Sequence, residues 1–400
     1  MHYKFPHITH INDVLPAIEG RSEFIVADRG THTILNYVVV MSDSFPPMHT
    51  AGGSAKMREA QKLMKALRRE CRGITFDKDG NIIRRTYHKF FNINERDETL
   101  EKNLDFSAPH IILEKLDGSM IAPYMVDDRL IWGTKMGDTD VAIPVQDFVN
   151  SDYVNFAEFC INYKLTPIFE WCSRKQAIVI DHPVDRLVLT GIREFHSGAY
   201  ILYNDMVKIA GDWNIPVVKA LDANHASFAE LVKFMRESID DVEGAVVRWN
   251  DGMMVKVKTD RYCAIHKARD AVNEEKAVVE YILDERLDDV LPMVPDLVRA
   301  NLERFRDDFF RHLGDAVVRL ETSINHNYKS FPDRKTYALS GNAKMDSDYD
   351  RTATFKFFDT KFTQEDLRNH LIGIVRNNLG TRTKFNEMKN HLLPHLYFYV

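Results

Sequence analysis

The chain has little cysteine. Its four cysteines, Cys71, Cys160, Cys172 and Cys263, stand in 400 residues without paired spacing, which excludes a disulfide framework and predicts reduced thiols. Cys263-x-x-His266 has no second pair nearby to complete a tetrahedral zinc site. No apolar run approaches the roughly 18 residues that a membrane span needs. There is no basic excess either: the net charge is −6, so a polyanion must be met in a local cleft. Internal repeats and low-complexity tracts are missing too. These absences predict a soluble, cytoplasmic protein that binds no membrane.

What is there describes an ordinary folded chain, 44% apolar and 28% charged, and 400 residues predict two domains. Strands are expected around Phe24-Ile25-Val26, at Thr33 to Val40, and as a hairpin through Cys71 to Phe76 and Asn81 to Tyr87, turning at Asp79-Gly80. Met41 to Gly53 is expected as a loop. Ser54 to Arg69 carries good helix formers, with Met57, Leu63, Met64 and Leu67 as a buried stripe. Further strands are expected at Ile121–Met125, Leu130–Lys135, Pro167–Trp171, Ala177–Ile180, Arg186–Arg193, Gly244–Trp249 and Met253–Lys258. Helices are expected at Val145–Tyr163 and Phe228–Glu237. Strands and helices interleaved without a βαβ rhythm indicate an α+β domain of mixed or antiparallel sheets over residues 1–262. Beyond Arg261 long helices are expected, at Ala264–Leu283, Pro295–Asn325 and Thr363–Leu379, the last opened by the capping pattern Thr363-x-x-Asp366. Residues 263–400 therefore read as an all-α C-terminal domain, with a polar loop at Gly341–Thr352.

The segment His110 to Met120 organises the chemistry. Ile111 to Leu113 reads as a buried strand and Asp117-Gly118 as the turn that ends it, holding Lys115 at a strand edge. A lysine beside other cations sheds its proton more easily and can attack an electrophilic phosphorus. Other apolar strands carry charges in the same way: Arg72, Lys89 and Lys135, then Glu170 within Ile168-Phe169-Glu170-Trp171, and Glu243 ahead of Gly244-Ala245-Val246-Val247. Lys256 and Lys258 fall on one face of a strand, because strand side chains repeat every two residues. Such a cleft suits a nucleoside triphosphate: cations for the phosphates, glutamates for the ribose or a metal, and Phe91 to stack on the base.

Lys115-Leu116-Asp117-Gly118 resembles motif I of the covalent nucleotidyltransferases, which comprise the RNA ligases, DNA ligases and mRNA capping enzymes. Phe169-Glu170 is similar to motif IIIa, Glu243 to Val247 to motif IV and Val255 to Lys258 to motif V. Tyr37, Glu70-Cys71-Arg72-Gly73, Lys89-Phe90-Phe91-Asn92, Lys135 and Tyr262 resemble the RNA ligase 1 branch of T-even-like bacteriophages. The resemblance spans residues 30 to 262, with a helix-like insert around Lys56 to Leu67 as a departure.

That resemblance implies an ATP-dependent RNA ligase whose 1–262 domain is a nucleotidyltransferase (adenylation) domain. Lys115 would take AMP from ATP, Glu170 would contact the ribose, and Lys256 and Lys258 would grip the α-phosphate. Arg72, Lys89 and Lys135 would meet ATP or RNA phosphates, and Tyr37, Phe91, Gly118 and Tyr262 would complete the pocket. Mg²⁺ would involve Glu243 and, in the helical domain, Asp288 and Asp289. The implied partner is RNA, a nicked tRNA anticodon loop, with no obligate protein partner; Arg299, Arg304, Arg306 and Arg311 are candidates to meet its phosphates. A DNA ligase or capping guanylyltransferase is the nearest alternative, and attachment of tail fibres another. The lack of an OB-fold-like strand pattern after residue 262 disfavours the former two.

Overall fold

The computed structural model describes residues 4–41, 43–48, 52–175, 179–180, 182–221, 225, 227–238, 242–294, 296–340 and 347–398, the side chains of Arg269 and Ala271 excepted. Two compact units divide the chain, Met1–Cys263 and Ala264–Val400.

The first unit is α+β. Its strands are β1 (Phe24–Asp28), β2 (His32–Tyr37), β3 (Arg72–Asp77), β4 (Ile82–Arg84), β5 (Phe91–Asn92), β6 (His110–Lys115), β7 (Ser119–Val126), β8 (Arg129–Gly133), β9 (Leu165–Cys172), β10 (Arg186–Glu194), β11 (Gly244–Trp249) and β12 (Met254–Lys258). They form sheets of order β1-β2-β3-β4, β10-β9-β7-β8 and β5-β12-β11-β6. All neighbouring strands are antiparallel except β5, which runs parallel to β12.

The third sheet positions the site. The helix Phe228–Glu237 buries Phe228, Leu231, Val232 and Met235, the spacing of one helical face. It packs on Ile112, Ala245, Val247, Val255 and Val257. Because strand side chains alternate, this fixes the opposite face of the sheet: Leu113 and Lys115 on β6, Gly244, Val246 and Arg248 on β11, and Met254, Lys256 and Lys258 on β12. In the second sheet, β9 and β7 pack against the helix Ser151–Asn162, with Phe156, Ala157 and Cys160 on the helix and Phe169 on β9 in one apolar cluster.

Buried charge ties the unit together. Glu70, 3% exposed, receives Arg85 Nε at 3.1 Å on Oε2, while Arg193 donates to both of its oxygens at 2.8 Å. Arg85 also donates to the carbonyls of Pro6, Phe195 and His196, and Arg193 to those of Thr86 and Gly198. Burial alone would raise the Glu70 carboxyl, but the two guanidiniums override it and hold it down at about 2.

Several elements differ from the sequence expectation. The strand expected to reach Val40 stops at Tyr37, and Val38 is 57% exposed. The helix at Ser54 is present as Ala55–Glu70, capped by the Ser54 hydroxyl, but Met57 and Leu63 are exposed; the buried residues are Ala66, Leu67, Arg69 and Glu70 at its end. The single helix expected at Val145–Tyr163 is two, Ile143–Phe148 and Ser151–Asn162, because Asn150 caps the second with its side chain. The strand expected at Ala177–Ile180 is absent at Val179 and Ile180, which form a bend; Ala177 and Ile178 lie outside the described residues.

Among the described residues the second unit holds helices and no strand. The helix Asp296–Ser330 buries Leu302, Phe305, Phe309, Leu313, Ala316, Val317, Leu320 and Ile324 along one face. The helix Gln364–Asn378 has the expected Thr363 and Asp366 capping box. The expected helix Ala264–Leu283 is broken into Asp260–Val272 and Glu275–Leu283. Of the expected loop at Gly341–Thr352, residues 341–346 lie outside the described residues and Asp348 begins a helix, Asp348–Phe357. Arg299, Arg306 and Arg311 each pair with an aspartate, as on a solvated helix face. No helix among the described residues is long and apolar enough to cross a membrane.

Removing the Glu70 charge strands two buried guanidiniums. Glu70→Gln is therefore expected to cost about 3–5 kcal/mol in chemical denaturation at pH 7. Because the folded carboxyl sits at about 2 against an ordinary 4.5, the contribution is complete above pH 4.5 and is lost as pH falls from there toward 2. A cost below about 1 kcal/mol at pH 7 would contradict this account of the triad.

Candidate active site

Lys115 is the last residue of β6 and lies opposite Gly244, the first of β11, in the sheet register. Its Nζ donates to Glu243 Oε2 at 2.6 Å, and Lys258 Nζ meets Glu243 Oε1 at 2.9 Å. One buried carboxylate thus holds two ammonium groups, one on each oxygen. Gly244 makes this approach possible: at φ 147° a Cβ would run into the Val257 carbonyl of the neighbouring strand.

The turn after Lys115 is pinned from three directions. Asp117 is 2% exposed; its Oδ2 accepts the Val179 and Ile180 amides, each at 2.7 Å, and its Oδ1 accepts the Tyr262 hydroxyl at 2.8 Å. His182 Nε2 donates to the Asp117 carbonyl at 2.6 Å. Gly118 lies against β9, where a Cβ would run into the Trp171 carbonyl. Burial raises the Tyr262 phenol, and Glu243 and Asp117 raise it further, so it stays a donor.

A cavity of about 210 Å³ opens over this face, bordered by Arg72, Tyr87, Phe90, Lys115, Gly118, Met120, Glu170, Val246, Arg248 and Lys256 among others. Burial pushes the Glu170 carboxyl up to about 7, with Glu243 adding to the rise and Lys115 opposing it. Burial, then Arg72, Lys89, Lys115 and Lys258, pushes the Lys256 ammonium down to about 6. The Lys256 Nζ lies 4.9 Å from the centre of the Phe90 ring. Tyr37 is flanked by Lys89 and Lys135, whose Nζ atoms lie 5.1 and 4.9 Å from its ring centre. Burial alone would raise its phenol, yet Arg72, Lys89 and Lys135 pull it below its ordinary value. A second cavity, about 330 Å³, is larger but borders on none of the predicted residues; its lining includes Arg29, His32 and Arg129.

The structure therefore brings Lys115, Gly118, Glu170, Arg72 and Lys256 to one cavity, joins Glu243, Lys258 and Tyr262 to Lys115 and its turn, and clusters Tyr37, Lys89 and Lys135 through charge. Phe91 is a correction. It is 2% exposed and packs on Phe45 in the core, because strand alternation sends Phe90 to the cavity instead. Sequence reasoning missed Asp117 as an anchor, and also His182, Phe90 and Arg248. Asp117 carried a signal, since it stands within the Lys-x-Asp-Gly segment.

The donor set fits phosphates better than a resident metal. Arg72 Nε is buried without a partner among the described residues, and the cations outnumber the acids facing them. By contrast Glu243 is already engaged by two lysines, and no group of three or more His, Cys, Asp or Glu side chains among the described residues is placed to hold an ion. Asp288 and Asp289 belong to the second unit, on the short helix Leu287–Val290; Asp288 is exposed and 3.7 Å from Arg306.

Because the fold holds Lys256 near neutrality while the unfolded chain keeps it charged, ligand-free stability rises with pH between about 6 and 10.5. Lys256→Met removes the penalty. Its thermal midpoint is expected a few degrees above the parent's at pH 6, roughly 2–4 °C, the gap closing toward pH 9. An equal or lower midpoint for Lys256→Met at pH 6 would contradict the burial argument.

Residues 70–262 match the family model described as RNA ligase. A Thermovibrio ammonificans protein provisionally named RNA ligase is 28% identical over 255 residues, 60% of this chain and 65% of that protein. RNA ligase 1 of bacteriophage TS2126 is 25% identical over 270 residues, 62% of this chain and 65% of that protein. The chain thus spans slightly less than two thirds of the length of the relatives it matches. Among solved structures, a Naegleria gruberi RNA ligase variant with ATP and Mn is 18% identical with a TM-score of 0.34, over 40% of this chain and 52% of that one. The stretch that is similar to the RNA ligase family, residues 70–262, contains Lys115, Glu170, Glu243, Lys256 and Lys258.

Proposed function

We propose that the chain is an ATP-dependent RNA ligase that joins RNA 5′-phosphate and 3′-hydroxyl ends through AMP carried on Lys115, the first unit being its nucleotidyltransferase domain. The observation that carries this reading is the sharing of Glu243 between Lys115 and Lys258 at the mouth of a cavity already lined with Lys256 and Arg72.

The chemistry follows from the residues. Lys115 Nζ, its proton passed to Glu243, attacks the α-phosphorus of ATP. The bond to the bridging oxygen breaks and pyrophosphate leaves with the electron pair. Lys256 takes up a proton as the phosphates enter, and Lys256 and Lys258 balance the charge at the α-phosphate. Arg72, Lys89 and Lys135 meet the leaving pyrophosphate and, afterwards, the RNA phosphate. Glu170, whose carboxyl burial pushes up to about 7, meets the ribose. The divalent ion enters with ATP as its Mg²⁺ complex, part of the substrate.

The 5′-phosphate oxygen of an RNA then attacks the same phosphorus, the P–N bond breaks, and Lys115 regains a proton. A 3′-hydroxyl finally attacks the activated 5′-phosphate and AMP leaves. Most of the acceleration comes from alignment and fixed positive charge. Repair of a nicked tRNA, with the helical unit as the tRNA-holding domain, is the substrate reading that the family resemblance supports.

The test uses α-labelled ATP or GTP with Mg²⁺ and a denaturing gel. Label from ATP is expected on the wild type and none on Lys115→Ala, while Lys115→Ala still seals RNA that already carries a 5′-AMP. Label retained by Lys115→Ala, or taken from GTP alone, would overturn the assignment.

A further inference from the structure

Arg248 borders the cavity and has no part in the chemistry above. It is 4% exposed, on the central strand β11, and borders the cavity, yet both of its terminal nitrogens are buried without a hydrogen-bond partner among the described residues. A buried donor left unpaired is costly, and a buried guanidinium more so. A buried fork of unmet donors on a residue that borders a cavity calls for an acceptor, and a ligand in that cavity is the nearest source of one.

The sheet register says which part of the ligand that is. The face has three rows. Lys115, Gly244 and Lys258 form the first, Leu113, Val246 and Lys256 the second, and Ile111, Arg248 and Met254 the third. Successive rows lie about 7 Å apart at the ordinary strand rise. The α-phosphorus must touch Lys115 in the first row, and the phosphates are met by Lys256 beyond it. The third row is therefore one nucleoside length away from the reacting phosphorus. Met254 lies beside Arg248 in that row and Tyr87 is near enough for Arg248 to act on its phenol, while Val246 and Phe90 border the second row; apolar and aromatic neighbours suit the face of a base rather than another phosphate.

We infer that Arg248 is the base-reading residue of this site, its guanidinium donating to ring acceptors on the edge of the nucleobase and setting nucleotide selectivity. This rests on the ATP reading above, where the acceptors are ring nitrogens of adenine. A guanidinium has five donors and no acceptor, so from the third row it can donate to a ring nitrogen of adenine, which a bare ribose phosphate lacks.

The test measures binding of AMP, GMP, ribose 5-phosphate and pyrophosphate to the whole chain and to Arg248→Met, with Arg248→Lys as the variant that keeps charge and loses the fork. The wild type is expected to prefer AMP over ribose 5-phosphate. Arg248→Met and Arg248→Lys lose about tenfold or more for AMP, with ribose 5-phosphate and pyrophosphate unchanged. Arg248→Met, relieved of an unpaired buried charge, melts no lower than the wild type. AMP binding unchanged in both variants, or an equal loss for ribose 5-phosphate and pyrophosphate, overturns the assignment. A wild type that prefers GMP, with that preference lost in the variants, keeps Arg248 as base reader and overturns the ATP reading instead. Failure of the wild type to bind any nucleotide overturns both.

Discussion

A single buried carboxylate decides the arrangement. Glu243 holds Lys115 on one oxygen and Lys258 on the other, so the end of β6 and the end of β12 are fixed to the start of β11. Their pairing leaves no freedom to slip. A shift of one residue would turn Lys256 and Lys258 toward the helix Phe228–Glu237 and drive Val255 and Val257 into the cavity. Gly244 lets the strands close over the pair, and Asp117, gripped by two amides and the Tyr262 hydroxyl, keeps the following turn from swinging Lys115 away.

Around that bridge the electrostatics are incomplete by design of the sheet. Lys256 is held near neutrality by burial and by its cationic neighbours, and Arg72 and Arg248 keep buried donors unmet. Each of these costs the ligand-free protein stability, and the nucleotide proposed above would relieve each of them, with its phosphates at the first two rows and its base at the third. Two lysines compete for the role of nucleophile on these terms. Burial and its cationic neighbours push the Lys256 ammonium down to about 6, whereas Lys115 has a proton acceptor in contact and stands at the mouth of the cavity on a pinned turn. Geometry favours Lys115, because an attacking atom must reach the phosphorus in line with the leaving oxygen.

Much of this was legible in the sequence. Apolar runs with period-two alternation marked β6, β9, β11 and β12, and their terminal charges named Lys115, Glu170, Glu243, Lys256 and Lys258. What was not legible follows from one cause: burial of charge is a tertiary property. Glu70, Arg85 and Arg193 lie far apart in the chain and read as surface residues until the fold puts them in contact. Arg248 sits in Arg248-Trp249-Asn250 ahead of a turn, where an exposed strand end is the natural expectation. Phe90 and Phe91 are equivalent by composition, and only the pairing of Phe91 with Val255 decides which enters the core. The helix Ala55–Glu70 misled in the other direction, since Met57 and Leu63 had the spacing of a buried stripe but stand exposed.

The most direct measurement is to locate the adenylate. The wild-type chain is incubated with ATP and Mg²⁺, digested, and mapped by peptide mass spectrometry under conditions that preserve a phosphoramidate. AMP on Lys115, and on none of Lys89, Lys135, Lys256 or Lys258, is the predicted result. AMP on Lys256, whose ammonium is pushed down by burial, or no adduct on any of the five, would contradict the account.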